Sequence, residues 1–161
     1  MEPLDARSLP AGALLLMDSA PIIYTLEAHP QLAARYKSLF ARHAAGEFSL
    51  AVTTITIAEV LTGPLGAGED ALAKRYRAVL ESWHVVDLTA DIAETAARLR
   101  ARHKLKLPDA IQLASALAIN AHALVTHDRD FAKVRGMRIV GSSLPAPPLH
   151  RALHCLRHRT K

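Results

Sequence analysis

The chain has 161 residues, half of them apolar, and a formal net charge of +5. That length suits one domain with its own core and is too short for two ordinary ones. Its single cysteine, Cys155, excludes an internal disulfide, and no apolar run approaches a membrane span. The first ten residues carry Glu2, Asp5 and Arg7 and lack the basic-then-apolar order of a secretory signal, so a cytoplasmic protein without membrane partners is expected. The basic balance favours polyanionic partners.

Residues 14–17 form a short apolar run that ends at Asp18 and reads as a buried first strand. Ser19 is placed as a helix cap, with Pro21 in the first turn. Helices are expected over 21–28 and 31–45, with Gly46 as the stop of the second. Residues 48–52 read as strand two. A short helix over 54–61 contains Glu59 and is closed by Gly63-Pro64. An amphipathic helix covers 69–81, and residues 83–88 form strand three. Thr89 caps a helix to about His103, and Pro108-Asp109 opens another to about Asn120. This last helix is apolar nearly all round, which implies deep burial. Residues 123–126 give strand four, 128–131 a turn, and 137–140 strand five.

Strands alternating with helices predict a parallel sheet covered on both faces. The domain is expected over residues 13–140. Beyond it, 141–161 reads as a linker with Pro145, Pro147 and Pro148, followed by a basic tail.

Four acids stand where apolar residues belong. Asp18 follows strand one, and Asp128 lies two residues beyond strand four. Ligands of open parallel sheets bind beyond the carboxyl ends of strands, where the strand order reverses. Glu59 sits within Ile55-Thr56-Ile57-Ala58-Glu59-Val60-Leu61, and Asp109 precedes Ala110-Ile111-Gln112-Leu113-Ala114. A buried carboxylate needs a cation, hydrogen bonds or a proton. Taken singly, Asp18 and Asp109 also suit helix starts and Asp128 suits a turn; Glu59, mid-helix with apolar neighbours, is the hardest to explain in such terms. Two unit charges about 4 Å apart repel by roughly 4 kcal/mol at an effective dielectric near 20. Convergence of all four therefore calls for a divalent cation, and oxygen-only ligands suit magnesium or manganese.

The stretches Met17-Asp18-Ser19-Ala20-Pro21-Ile22-Ile23-Tyr24, residues 54–61, residues 107–114 and Leu124-Val125-Thr126-His127-Asp128-Arg129-Asp130-Phe131 resemble, in that order, the PIN-domain family. They resemble in particular the VapC toxins of bacterial toxin–antitoxin pairs, over about residues 13–140. The resemblance implies an α/β fold with a five-stranded parallel sheet in the order 3-2-1-4-5. It implies a divalent-metal-dependent endoribonuclease using Mg2+ or Mn2+, with RNA as substrate and a VapB-like antitoxin and a second copy of the chain as partners. Carried over by position, Asp18, Glu59, Asp109 and Asp128 are the catalytic and metal-binding acids. Ser19 and Thr126 match hydroxyl positions lining the site, and Asp130 an auxiliary acid. The alternative is a PIN-like module that binds RNA or protein without cutting.

Arg98, Arg100, Arg102, His103, Lys104 and Lys106 precede Asp109 and read either as a phosphate track or as a solvated helix face. Arg102, Lys104, Lys106, His127 and Arg129 are the candidate RNA contacts, with His127 and Arg129 expected to be exposed. The helices over 31–45 and 69–81 are the candidate dimer surfaces. His150, His154 and His158 share a spacing of four, which a basic tail explains better than a metal site does. An aspartate-nucleophile phosphatase would want a second acid where Ala20 stands.

Overall fold

A computed structural model describes residues 9–141; the proposed tail, its three histidines and Cys155 lie outside the described residues. Five strands form one parallel sheet: β1 (Ala13–Met17), β2 (Phe48–Thr53), β3 (His84–Val86), β4 (Ala123–Val125) and β5 (Ile139–Val140). Their order is β3-β2-β1-β4-β5, as expected. Six α-helices join them: α1 (Ser19–Leu26), α2 (Ala33–Ala44), α3 (Thr54–Gly66), α4 (Asp70–Glu81), α5 (Ala90–His103) and α6 (Leu107–Ala118). None is long and apolar enough to cross a membrane.

The period of two along each strand divides the core into two layers. Leu15 and Met17 of β1, Leu50 and Val52 of β2, and Val125 of β4 pack on one face with Ile22, Tyr24, Tyr36 and Leu39 from α1 and α2. Leu16, Ala51 and Leu124 point the other way, onto Ile92 and Ala96 of α5 and Ile111, Leu113 and Ala114 of α6. The strands are apolar on both sides because both sides are covered. Helix α6 is buried without a break from Ala110 to Ala116, which its sequence demanded.

Several ends differ from expectation. Asp18, not Ser19, caps α1. Helix α3 runs through Gly63-Pro64 rather than stopping there, with Pro64 buried inside its last turns. Its stop is Gly68, whose φ of +73° allows Gly68 N–H to reach Leu65 O at 3.0 Å and Glu69 N–H to reach Pro64 O at 2.8 Å. A proline near a helix end forfeits one bond only, and these two close the last turn. The expected turn over 128–131 is a short 3-10 helix, Arg129–Lys133, capped by Asp128. Strands β3 and β5 are shorter than their apolar runs, since pairing ends where the neighbouring strand ends.

Strand β1 lies between β2 and β4, and Asp18 N–H extends the β1–β4 ladder by donating to Val125 O at 2.9 Å. The connections leave β1 and β4 for opposite faces, so a crevice opens past their carboxyl ends. Gly141 closes the structure behind it. Its φ is +112°, and a Cβ there would sit 2.5 Å from Thr126 O. Gly141→Ala is therefore expected to cost about 2 kcal/mol through strain and collision. Thermal unfolding should show a melting temperature lower by roughly 4–8 °C; an unchanged value would mean that the Thr126 carbonyl can move away freely.

Candidate active site

The crevice is lined by carboxylates held from three directions. Asp18 accepts Ser19 N–H on Oδ1 at 2.8 Å and the Thr126 hydroxyl on Oδ2 at 2.6 Å. Thr126, fully buried, also accepts Asp128 N–H on its hydroxyl at 3.0 Å. A single hydroxyl thus ties the ends of β1 and β4. Asp128 in turn accepts Asp130 N–H on Oδ1 at 2.8 Å. Asp109 arrives from the first turn of α6, and its Oδ2 is buried with no hydrogen-bond partner among the described residues. Carboxylate oxygens of Asp109, Asp128 and Asp130 lie within 4.8 Å of one another. Glu59, half-buried on α3, is near enough for its charge to act on Asp18.

The electrostatics follow from crowding in a dry place. Burial is the chief cause that lifts the Asp18 carboxyl from 3.8 to about 6. Hydrogen bonds from Thr126 and Ser19 oppose the rise, and the charges of Glu59 and Asp128 add to it. Asp109 also rises to about 6, first through burial and then through the charges of Asp128 and Asp18; Lys106 opposes this and Asp130 adds to it. The Lys106 ammonium stands 3.8 Å from Asp128 Oδ2 and 3.9 Å from Asp130 Oδ2. It is an exposed positive charge set against the carboxylates of Asp109, Asp128 and Asp130. A set of hard oxygen donors with one buried oxygen left unbonded fits a small divalent cation. Asp109, Asp128 and Asp130 could hold such an ion, with Asp18 near enough to act on Asp109 and Glu59 near enough to act on Asp18.

The structure thus brings Asp18, Glu59, Asp109 and Asp128 to one crevice. Asp130, expected to be auxiliary, forms the tight trio with Asp109 and Asp128. Ser19 takes part through its backbone N–H. Arg102, Lys104 and Arg129 are exposed, while Lys106 reaches the acids.

His127 corrects the sequence reading. It was expected at the surface and is 1% exposed. Its Nδ1 shares a hydrogen bond with the Tyr36 hydroxyl at 3.2 Å, and its ring meets Tyr24 edge-on at 5.6 Å. The chain still alternates past the end of β4, which turns this side chain into the layer of α1 and α2. An imidazole buried there cannot steer a phosphate; it anchors the segment between Thr126 and Asp128.

A second support was not foreseen. Thr53 caps α3 by accepting Thr56 N–H at 3.0 Å, and Gln112 Nε2 donates to the Thr56 hydroxyl at 2.6 Å. Gln112 lies one turn beyond Asp109, and Thr56 three residues before Glu59, so this buried clamp sets α3 against α6. A buried amide within an apolar helix was its only trace in the sequence.

A family model described as PIN domain matches residues 15–137. No curated protein matches the chain by sequence. Among solved structures, a toxin–antitoxin complex from Klebsiella pneumoniae aligns at 30% identity over 76% of this chain and 94% of that one, with a TM-score of 0.63. VapBC2 from Rickettsia felis, bound to a fragment of its promoter DNA, aligns at 19% identity over 78% and 96%, with a TM-score of 0.64. VapC20 from Mycobacterium tuberculosis, a toxin cleaving the sarcin-ricin loop, aligns at 20% identity over 73% and 92%, with a TM-score of 0.62. At these lower identities the likeness is one of fold.

The raised acids make a pH prediction. Their charged forms are disfavoured in the folded state, so their contribution to stability falls as pH rises from 3.8 to about 6 and is level above. In chelator, Asp109→Asn should therefore gain melting temperature relative to the parent chain across that window and hold the gain at pH 8. Magnesium should narrow the gap by stabilising the parent chain alone. Parallel melting curves for the two proteins from pH 4 to 8 would contradict this.

Proposed function

The chain belongs to the PIN-domain family, and from that premise we propose that it is a divalent-metal-dependent endoribonuclease, the toxin of a VapBC-type pair. The observation that carries this reading is the buried, unbonded Oδ2 of Asp109 beside Asp128 and Asp130. An oxygen left so costs roughly 1–3 kcal/mol unless something occupies it. Hard-cation chemistry accounts for it, and magnesium or manganese are the ions proposed.

Bound among Asp109, Asp128 and Asp130, the ion would neutralise charge on the scissile phosphate and make water more acidic. The protein's own residues do the rest. Thr126 and Ser19 N–H hold both oxygens of Asp18, so its carboxylate keeps one orientation toward the crevice. Glu59, set by the Thr53–Thr56–Gln112 clamp on its helix, orients the attacking water and takes its proton. Water oxygen bonds to phosphorus as the bond to the 3′ oxygen breaks. The leaving oxygen takes a proton, giving a 3′-hydroxyl and a 5′-phosphate. Rigid side chains matter because the gain comes from charge placed in advance.

The partners proposed are RNA as substrate, an antitoxin and a second copy of this chain. The Klebsiella and Rickettsia structures are complexes of toxin with antitoxin, which supports the second. A basic side chain from an antitoxin would meet the same acids that Lys106 now approaches.

The test is cleavage of single-stranded RNA by the purified chain with magnesium, with chelator, and with Asp18→Asn. Activity should need the metal, leave 5′-phosphates, and fall about 10²–10³-fold in the variant with its melting temperature not lowered. Chelator-resistant cleavage, or cyclic-phosphate ends, would overturn the reading. Metal-independent RNA binding without any cleavage would make the chain a non-cutting module instead.

A further inference from the structure

The acids do not stand alone on their edge of the molecule. The last turns of α5 present Ala97, Arg100, Ala101 and Lys104 at helical spacing along one face of a groove. Lys104, at φ +55°, ends the helix and turns the chain toward α6. Leu105, 4% exposed, forms the floor, and Leu107, 52% exposed, stands as a wall. The groove holds about 500 Å³ and no carboxylate lines it. From its edge the chain runs through Lys106, whose ammonium already faces Asp128 and Asp130, to Asp109.

We infer that this groove takes one unstacked nucleotide of single-stranded RNA flanking the bond to be cut. The inference rests on the ribonuclease reading. A half-open hollow of this volume matches a nucleotide-sized ligand. Its apolar floor and exposed leucine suit the flat face of a base, while Arg100 and Lys104 suit the phosphates on either side. Basic residues near a helix C-terminus are ordinarily explained by the helix dipole, and Arg102 and His103 serve that end equally. The dipole does not explain why Leu107 is left uncovered in the groove that Arg100 and Lys104 line. Arg98 on the same helix is paired with Glu94, whereas neither Arg100 nor Lys104 forms an ion pair with a described residue. The two cations that line the groove therefore carry charge that no described carboxylate neutralises. Lys106 joins the groove to the acid cluster, so the nucleotide held there would lie next to the scissile phosphate.

Binding of the full chain to a labelled single-stranded RNA oligonucleotide, in chelator and over a range of salt, tests this without requiring cleavage. Each phosphate contact on a single strand contributes about 0.7 to the slope of log affinity against log salt. Arg100→Gln with Lys104→Gln should lower that slope by about 1.4, and Leu107→Ser should weaken binding several-fold with the slope kept. Arg135→Gln with Arg138→Gln, exposed on the segment entering β5, removes the same net charge and should keep the slope. Equal losses in the two double variants would reduce the effect to net charge and overturn the assignment. An unchanged slope in the Arg100 and Lys104 variant would also overturn it, and reduced capture of an acidic peptide in that case would give the groove to a protein partner. A chain that binds with the expected slope change yet never cleaves with magnesium refutes the ribonuclease reading, while a chain that cleaves with the slope unmoved refutes the groove.

Discussion

Mutual repulsion of carboxylates at the ends of β1 and β4 is the constraint around which this structure is organised. Asp18 feels the charges of Glu59 and Asp128, and Asp109 those of Asp128, Asp18 and Asp130, across a crevice where Asp18 and Asp109 are the acids most strongly desolvated. Asp18 and Asp128 are kept in place by short-range bonds, and the Thr126 hydroxyl is central among these because it donates to Asp18 while accepting from the backbone of Asp128. One small polar group, itself inaccessible to water, fixes two acids just past the ends of neighbouring strands.

The supports of the crevice lie in both layers of the fold. On the α1 and α2 side, His127 and Tyr36 anchor the chain between Thr126 and Asp128, and Gly141 allows the β5 end to approach the Thr126 carbonyl. On the other side, Gln112 reaches from α6 to Thr56 at the start of α3, so the helices carrying Asp109 and Glu59 cannot drift apart. Buried polar networks of this kind add little net stability, since each bond replaces one to water. What they secure is geometry. Stability comes from the two apolar layers, and they let the chain tolerate charges that disfavour the fold.

The charge distribution is uneven on a short length scale. An acidic crevice and a basic groove adjoin, joined by the exposed ammonium of Lys106. A polyanion alone would be drawn to the groove and repelled from the crevice. A cation within the crevice reverses that second effect, so phosphate and acids can share one place only when positive charge stands between them. For the proposed RNA substrate, the net charge of +5 would supply the long-range attraction, and the local pattern the direction of approach.

Much of this was legible in the linear chain. The alternation of apolar strands with amphipathic helices determined a parallel sheet, and an acid beside each of several apolar runs marked the members of the crevice. Those signals are local: the period of side chains along a strand or helix, and the anomaly of charge among apolar neighbours. The close association of Asp130 with Asp109 and Asp128, the burial of His127 and the Gln112 clamp were decided only in three dimensions. Thr126, His127 and Asp128 are consecutive, yet one bridges two strands, one enters the core and one lines the crevice. Their roles depend on what α1, α2 and β1 bring opposite them, and a chain read residue by residue carries no record of partners about a hundred positions away.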